Sequence, residues 1–347
     1  MSTPRERLAT ALEGGTPDIT PYSIYSWMMN RESEQGKAAW QDVLDRGLAL
    51  CHHCSPIQHV QHGVTGSTVE EKRGADTYTI QTLECPAGKL QMVRRNGWHH
   101  EDWIKTPPDY LIRKWMIEHT ELLAHYEAVD EAEAFVGDQG VVAVCGSRTP
   151  LMSINIDWAG TERFCMDAAL EVPELFELYE AQKKLFLAET RLLAAGPGRF
   201  VKWFENLTIS MIGPQRYRDY LCNVYDEAVP ILAAGGKRVM VHYDGALRCI
   251  ADDIARAPFH MVESLTEAPE GDMTYAECRA AWPDKVLYGN LNVDLYYEPP
   301  EVLRQAVIDK CARAGKRGFA LELSEDLPAG WEHSVPLVLQ TLEHECS

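Results

Sequence analysis

The chain has 347 residues, enough for one large (β/α)8 barrel or for two average domains. Its hydrophobic fraction of 46% is ordinary for a globular protein, and no apolar run approaches the roughly 20 residues a bilayer span needs. A formal charge of −19 argues against nucleic acid and anionic lipid, and leaves a neutral small molecule or a protein with a matching basic patch as partner. No apolar segment follows Met1-Ser-Thr-Pro-Arg-Glu-Arg7, so no secretory signal and a cytoplasmic location are expected. In that compartment the ten scattered cysteines are expected to be reduced, with no structural disulfide.

Residues Pro4 to Glu13 read as a helix, with Pro in its first turn and Gly14-Gly15 at its end, and the apolar run Tyr22 to Trp27 reads as a first strand. A helix from Lys37 to Arg46 leads to a second short run, Leu48 to Cys51. From about residue 67 to 98 the sequence alternates with period two around Pro86-Ala-Gly88, the signature of an antiparallel hairpin inserted outside the main pattern. Leu111, Trp115, Ile117, Leu122 and Leu123 recur at helical spacing and predict one helix from Pro108 to Val129.

A regular rhythm follows. Six apolar runs are separated by helical patterns: Val141 to Cys145, Val201 to Phe204, Val239 to Val241, Phe259 to Val262, Val286 to Tyr288 and Phe319 to Leu323. The helices between them include Pro173 to Ala195, Gly213 to Ala234 and Pro299 to Ala314, the last two closed by Gly235-Gly236 and Gly315. With the first two runs this makes eight strand and helix units. No glycine-rich phosphate turn follows the first strand, so a single (β/α)8 barrel over residues 1–347 is predicted in place of a doubly wound sheet.

Barrels of this kind place chemistry at the C-terminal ends of their strands, where the first polar residues after each run are found. These are Glu205 and Asn206 after the fourth run, His242 and Asp244 after the fifth, Glu263 after the sixth, Asn290 and Asn292 after the seventh, and Ser324, Glu325 and Asp326 after the eighth. A histidine among carboxylates suits either a divalent metal or proton transfer. The plainer reading is that several of them cap helices or pair with arginines such as Arg148 and Arg248. Tyr22, Tyr25 and Trp27, with Met28 and Met29, would give an aromatic wall for a planar ligand, or simply barrel core. Cys51-His-His-Cys54, with His59 and His62, has two thiols at zinc spacing but no second pair, so buried thiols at a strand end are the preferred reading. Trp98-His99-His100 could line a pocket or lie on the surface. No serine-nucleophile, Walker or kinase motif is present.

Several stretches together resemble the uroporphyrinogen decarboxylase superfamily along nearly the whole chain: Arg5-Glu-Arg-Leu-Ala-Thr-Ala-Leu-Glu-Gly-Gly-Thr-Pro-Asp18, Thr149-Pro-Leu, Gly160, Val172-Pro-Glu-Leu, His242-Tyr-Asp-Gly245 and Glu325-Asp-Leu-Pro328. The resemblance implies a (β/α)8 barrel. True decarboxylases carry an arginine-rich stretch near the N-terminus for the substrate carboxylates, where this chain has Tyr22-Ser-Ile-Tyr-Ser-Trp27. The other branch comprises corrinoid-dependent methyltransferases, whose thiol-methylating members hold zinc through His-x-Cys and a late Cys. Here the corresponding residues are His242-x-Asp244 and Glu325, which resembles the aryl methyl ether O-demethylase subgroup. The resemblance thus implies methyl transfer from a small methoxylated aromatic to the cobalt of a separate corrinoid protein. A decarboxylase of a tetrapyrrole or small acid is the alternative, and a non-catalytic binding barrel a third. His242, Asp244, Glu263 and Glu325 are the expected catalytic residues. His242, Glu263 and Glu325 would hold zinc, with Asp244 in place of Glu263 as a variant of that set. Tyr22, Tyr25, Trp27, Glu205, Asn206 and Asn290 are expected to face the donor. A homodimer is compatible with these expectations.

Overall fold

Thr3 caps the first helix, Pro4–Leu12: its hydroxyl accepts from the Glu6 N–H while the Glu6 carboxylate accepts from the Thr3 N–H. The structure, a computed structural model, describes residues 2–29, 34–207, 209–323 and 327–346. Among these described residues fourteen strands follow in chain order. The first eight are β1 (Tyr22–Tyr25), β2 (Ala49–Cys54), β3 (Ile57–Gln61), β4 (Thr65–Arg73), β5 (Asp76–Cys85), β6 (Gly88–Arg95), β7 (Trp98–Glu101) and β8 (Thr120–Ala124). The rest are β9 (Gly140–Gly146), β10 (Phe200–Trp203), β11 (Arg238–His242), β12 (Met261–Leu265), β13 (Val286–Leu291) and β14 (Phe319–Leu323).

Strands β1, β2 and β9 to β14 close into a parallel barrel in the order β1-β14-β13-β12-β11-β10-β9-β2, with helices such as Pro173–Ala195, Pro300–Ala314 and Trp331–Glu345 around it. This is the predicted (β/α)8 barrel. Gly315 ends the helix Pro300–Ala314 as expected, at a left-handed φ of 71° that a side chain would resist. Among the described residues, no helix is long and apolar enough to cross a membrane.

The predicted antiparallel hairpin around Pro86-Ala-Gly88 is present as β5 and β6, within a four-stranded antiparallel sheet, β4-β5-β6-β7, spanning Thr65–Glu101, joined by a separate antiparallel pair of β3 with β8. That pair also breaks the predicted helix from Pro108 to Val129. The chain is helical over Pro107–Glu118, extended through β8, and helical again over Glu127–Val136. Ladder hydrogen bonding to Ile57–Gln61 overrides the helical spacing of Leu122 and Leu123, which lies within the reach of tertiary context.

Side chains of the barrel strands divide into two buried sets, as period-two alternation requires. Tyr25, Ala49, Cys51, Val141, Ala143, Phe200, Met240, Met261, Val286, Tyr288 and Ala320 fill the interior, closed below by Leu8, Ala11 and Leu12 of the first helix. Outward-facing residues such as Tyr22, Ile24, Leu50, Val239 and Leu321 pack against the helices. Two positions beyond the interior residues, towards the C-terminal end, the same face turns polar: His53 above Cys51, Lys202 above Phe200, His242 above Met240, Glu263 above Met261, Asn290 above Tyr288 and Glu322 above Ala320. An apolar floor thus carries a polar ceiling.

Candidate active site

His242 ends β11 and lies beside Glu263 of β12 in the strand register, so the two side chains meet on the inner face. The Glu263 carboxylate accepts a hydrogen bond from His242 Nδ1 at 2.8 Å through Oε2. Its other oxygen accepts from Lys202 Nζ at 2.5 Å and from the Tyr25 hydroxyl. Lys202 Nζ also donates to Tyr25 Oη at 2.9 Å and to His53 Nε2 at 3.4 Å. Lys202, His242 and Glu263 are fully buried, so each charge depends on its neighbours for the solvation that water would give.

The electrostatics follow from that enclosure. Burial works against charge on Lys202, but the carboxylates of Glu263 and Glu322 outweigh it and hold its pKa above the usual lysine value. Burial likewise opposes ionisation of Glu263, yet Lys202 and His242 pull its pKa below the usual carboxylate range. Burial and then the Lys202 cation push His53 down to about 3, so His53 is neutral and can accept from Lys202. The Tyr25 phenol, buried beside Glu263, has its pKa raised well above 10 and keeps its proton. An ionised Glu263 can only accept, so His242 Nδ1 carries the proton of that bond. Nε2 lies 3.9 Å from Oδ2 of the half-exposed Asp244 at the rim.

Beside this group the pairing of β12 with β13 shifts register between Glu263 and Leu265. Ser264 sits in the bulge at a left-handed φ of 59°, and its N–H donates to Glu322 Oε1 at 2.9 Å. The bulge ties Glu322 of β14 to the strand that carries Glu263.

Rings form a chain of contacts beside the same group. Trp27 stacks on Tyr25 at 5.9 Å, Tyr25 meets His53 at 4.6 Å, His53 meets Phe204 at 5.0 Å, and Phe204 lies 6.3 Å from His242. Trp27 is 62% exposed and marks the rim.

The expected residues therefore separate. His242, Glu263, Tyr25, Trp27 and Asp244 gather as described. Asn290 is at an inward position beside Glu322 in the register, and its Oδ1 has no hydrogen-bond partner among the described residues. Tyr22 does not join this group: it faces the helices, hydroxyl to hydroxyl with Tyr296, because it is one position out of phase with Ser23 and Tyr25. Glu205 also lies apart, accepting from Thr149 N and Oγ1 at 3.3 and 2.7 Å and from Tyr225 Oη at 3.0 Å. Asn206 accepts from Arg148 Nη2 at 2.8 Å. Glu325 lies outside the described residues, as do Ser324 and Asp326. Cys51 and Cys54 are three residues apart on one strand and so face opposite sides, Cys51 inward and Cys54 towards the helices. The ten cysteines are all free thiols.

Among the described residues no group of three or more His, Cys, Asp or Glu side chains converges to hold a metal ion, the Glu263 oxygens are taken by Lys202, Tyr25 and His242, and Glu325, the expected zinc ligand, lies outside the described residues. No step below passes through a metal. Lys202 and Glu322 are functional candidates the sequence reading passed over. Both lie inside apolar runs, at inward positions, and a charged residue within a buried strand was the available signal.

No protein-family model matches the chain, and no curated protein sequence matches it. Among solved structures, a methyltransferase from Methanosarcina mazei superposes with a TM-score of 0.60 at 12% identity, covering 99% of each chain. A B12-independent methionine synthase from Shewanella sp. W3-18-1 superposes at 0.48 and 8% identity, covering 94% of this chain and 97% of that one. At these identities the likeness is one of fold.

Proposed function

We propose that this chain is a methyltransferase of the corrinoid-dependent kind, taking a methyl group from a small methoxylated aromatic donor and passing it to a corrinoid on a separate protein. The observation that carries this reading is the buried His242–Glu263 pair, oriented by Lys202 and Tyr25, with His242 Nε2 directed towards the rim at Asp244. The resemblance of its motifs to the uroporphyrinogen decarboxylase superfamily and a barrel like that of a methyltransferase support it.

An aryl methyl ether is a poor methyl donor because its leaving group is a phenolate. A low-valent corrinoid cobalt, carried by the partner protein, would supply the electron pair that takes the methyl. As the carbon–oxygen bond breaks, its electron pair stays on oxygen, and that oxygen needs a proton. Protonated His242 gives it from Nε2, while Nδ1–H remains anchored on Glu263 and the fixed carboxylate stabilises the imidazolium beforehand. Trp27, Tyr25 and Phe204 provide faces for an aromatic ring. A polyacidic tetrapyrrole finds less here, since Lys202 is already engaged by Glu263, Tyr25 and His53.

The test is reconstitution with a methoxyphenol and a reduced corrinoid protein, followed by the corrinoid absorbance and by phenol release. Both should require the chain. Replacing His242 by Ala should lower the rate by about 10²–10⁴-fold with unchanged circular dichroism, and Cys51→Ala should change little. Consumption of a porphyrinogen without any corrinoid would overturn the reading in favour of the decarboxylase. Full activity after chelation, with no metal by elemental analysis, would set aside the zinc expectation and leave proton transfer.

A further inference from the structure

The closed barrel has no open edge, but the antiparallel sheet β4-β5-β6-β7 has two. Its β7 edge is four residues long and lies beside a register shift between Val93 and Arg94, both common ways of blunting an edge. The β4 edge has neither protection. It runs nine residues, Thr65–Arg73, without proline, pairs with β5 in unbroken register, and is exposed at every position. Among the described residues no strand covers its other side. Val69 stands at the middle of β4, 53% exposed, and ends a cross-strand row Val69–Ile80–Val93 whose inner member is buried.

The order of residues along β4 is self-complementary about Val69. Before it come four small uncharged residues, Thr65-Gly-Ser-Thr68, and after it four charged ones, Glu70-Glu-Lys-Arg73. Turned antiparallel on itself with Val69 at the centre, the strand sets Thr68 against Glu70, Ser67 against Glu71, Gly66 against Lys72 and Thr65 against Arg73, so no charge directly faces a like one. The segment Thr65–Glu101 also holds five Lys or Arg and five Asp or Glu, so the whole charge of −19 lies elsewhere and two copies meet least repulsion here.

We propose that β4 is a homodimer interface, pairing antiparallel with β4 of a second copy of this chain across a two-fold axis at Val69. The two four-stranded sheets then become one of eight strands, and the backbone groups along the open edge find partners. The two rows Val69–Ile80–Val93 meet on the axis as one apolar strip, which covers the exposed Val69 side chains. Because each copy offers the same surface, the contact closes after two chains.

Sedimentation velocity of the full chain from roughly 1 to 200 µM spans the range in which a contact at the small end of protein interfaces dissociates. The expected result is a monomer–dimer equilibrium. Ser67→Glu with Thr68→Glu puts like charges opposite Glu71 and Glu70 of the second copy and should raise the dissociation constant about tenfold or more, whereas Ser67→Lys with Thr68→Lys should lower it. Both pairs of changes lie on an exposed strand, and circular dichroism should be unchanged. Val69→Cys brings two thiols together on the axis and should give a disulfide-linked dimer on non-reducing gels after mild oxidation, which Val69→Ser does not. A monomer throughout the concentration range would overturn the proposal. So would a dimer indifferent to the sign of the charge at positions 67 and 68, or one that Val69→Cys fails to cross-link, since the copies would then meet through another surface.

Discussion

Lys202 is a fully buried cation, and what it touches decides its worth. A buried ion pair adds little compared with a well-packed apolar pair, yet removing one partner strands the other's charge. Lys202→Met should therefore cost about 3–5 kcal/mol in denaturant unfolding, while Lys202→Met combined with Glu263→Gln should cost less than the two single changes summed. Additivity in that cycle would mean the two side chains are not coupled. Glu205 supplies a second residue-scale expectation. Burial outweighs its hydrogen bonds and raises its pKa from 4.5 to about 7, so the folded state holds this proton more tightly than the unfolded one. Its contribution to stability is complete below pH 4.5 and is lost as pH rises to about 7, on the order of 3 kcal/mol in all. Glu205→Gln, which keeps the side-chain shape, should flatten that part of the stability–pH curve and be the more stable protein at pH 8. A curve of unchanged slope would show that Glu205 is ionised in the fold at little cost.

At the scale of elements, agreement between sequence and structure depends on how strongly a pattern is enforced locally. The run Phe319 to Leu323 coincides with β14 and the pattern Pro173 to Ala195 with its helix, because buried strands and proline-started helices announce their own ends. Glu263 and Asn290, expected beyond their strands, lie inside β12 and β13. A polar residue looks like a strand end when the barrel's polar ceiling is still to be discovered. Lys202 and Glu322 were passed over for the same reason, and Tyr22 was misplaced because composition does not reveal which phase of a strand faces inward. The bulge at Ser264 was not legible at all, since nothing in Glu-Ser-Leu distinguishes a left-handed serine. That bulge is testable. Ser264→Gly keeps both the conformation and the N–H to Glu322, and should fold with stability within about 1 kcal/mol of the parent. Ser264→Pro can supply neither and should lose about 3 kcal/mol or more. Equal melting temperatures for the two variants would mean that the tie from Ser264 to Glu322 is dispensable.

For the whole molecule, the dominant quantity is its charge of −19, carried by a barrel whose mouth is neutralised internally by Lys202. The acidic excess therefore belongs mainly to the surface, where it sets which large partners can approach. In the proposed reaction the small donor is uncharged or nearly so, whereas the corrinoid protein would dock across the C-terminal face through a basic patch drawn by that field. Attraction to a basic patch acts over a Debye length of about 10 Å at 0.1 M salt and shrinks to about 3 Å at 1 M. Raising potassium chloride from about 0.05 to 0.5 M should thus increase the KM for the corrinoid protein several-fold, chiefly through slower association. The KM for the methoxylated donor should stay near its low-salt value, because that ligand is held by aromatic faces and by a buried histidine that salt does not reach. If both constants rose together, salt would be acting on the site itself. If neither moved, docking would be governed by apolar contact, and the acidic surface would serve only to keep copies of the chain apart.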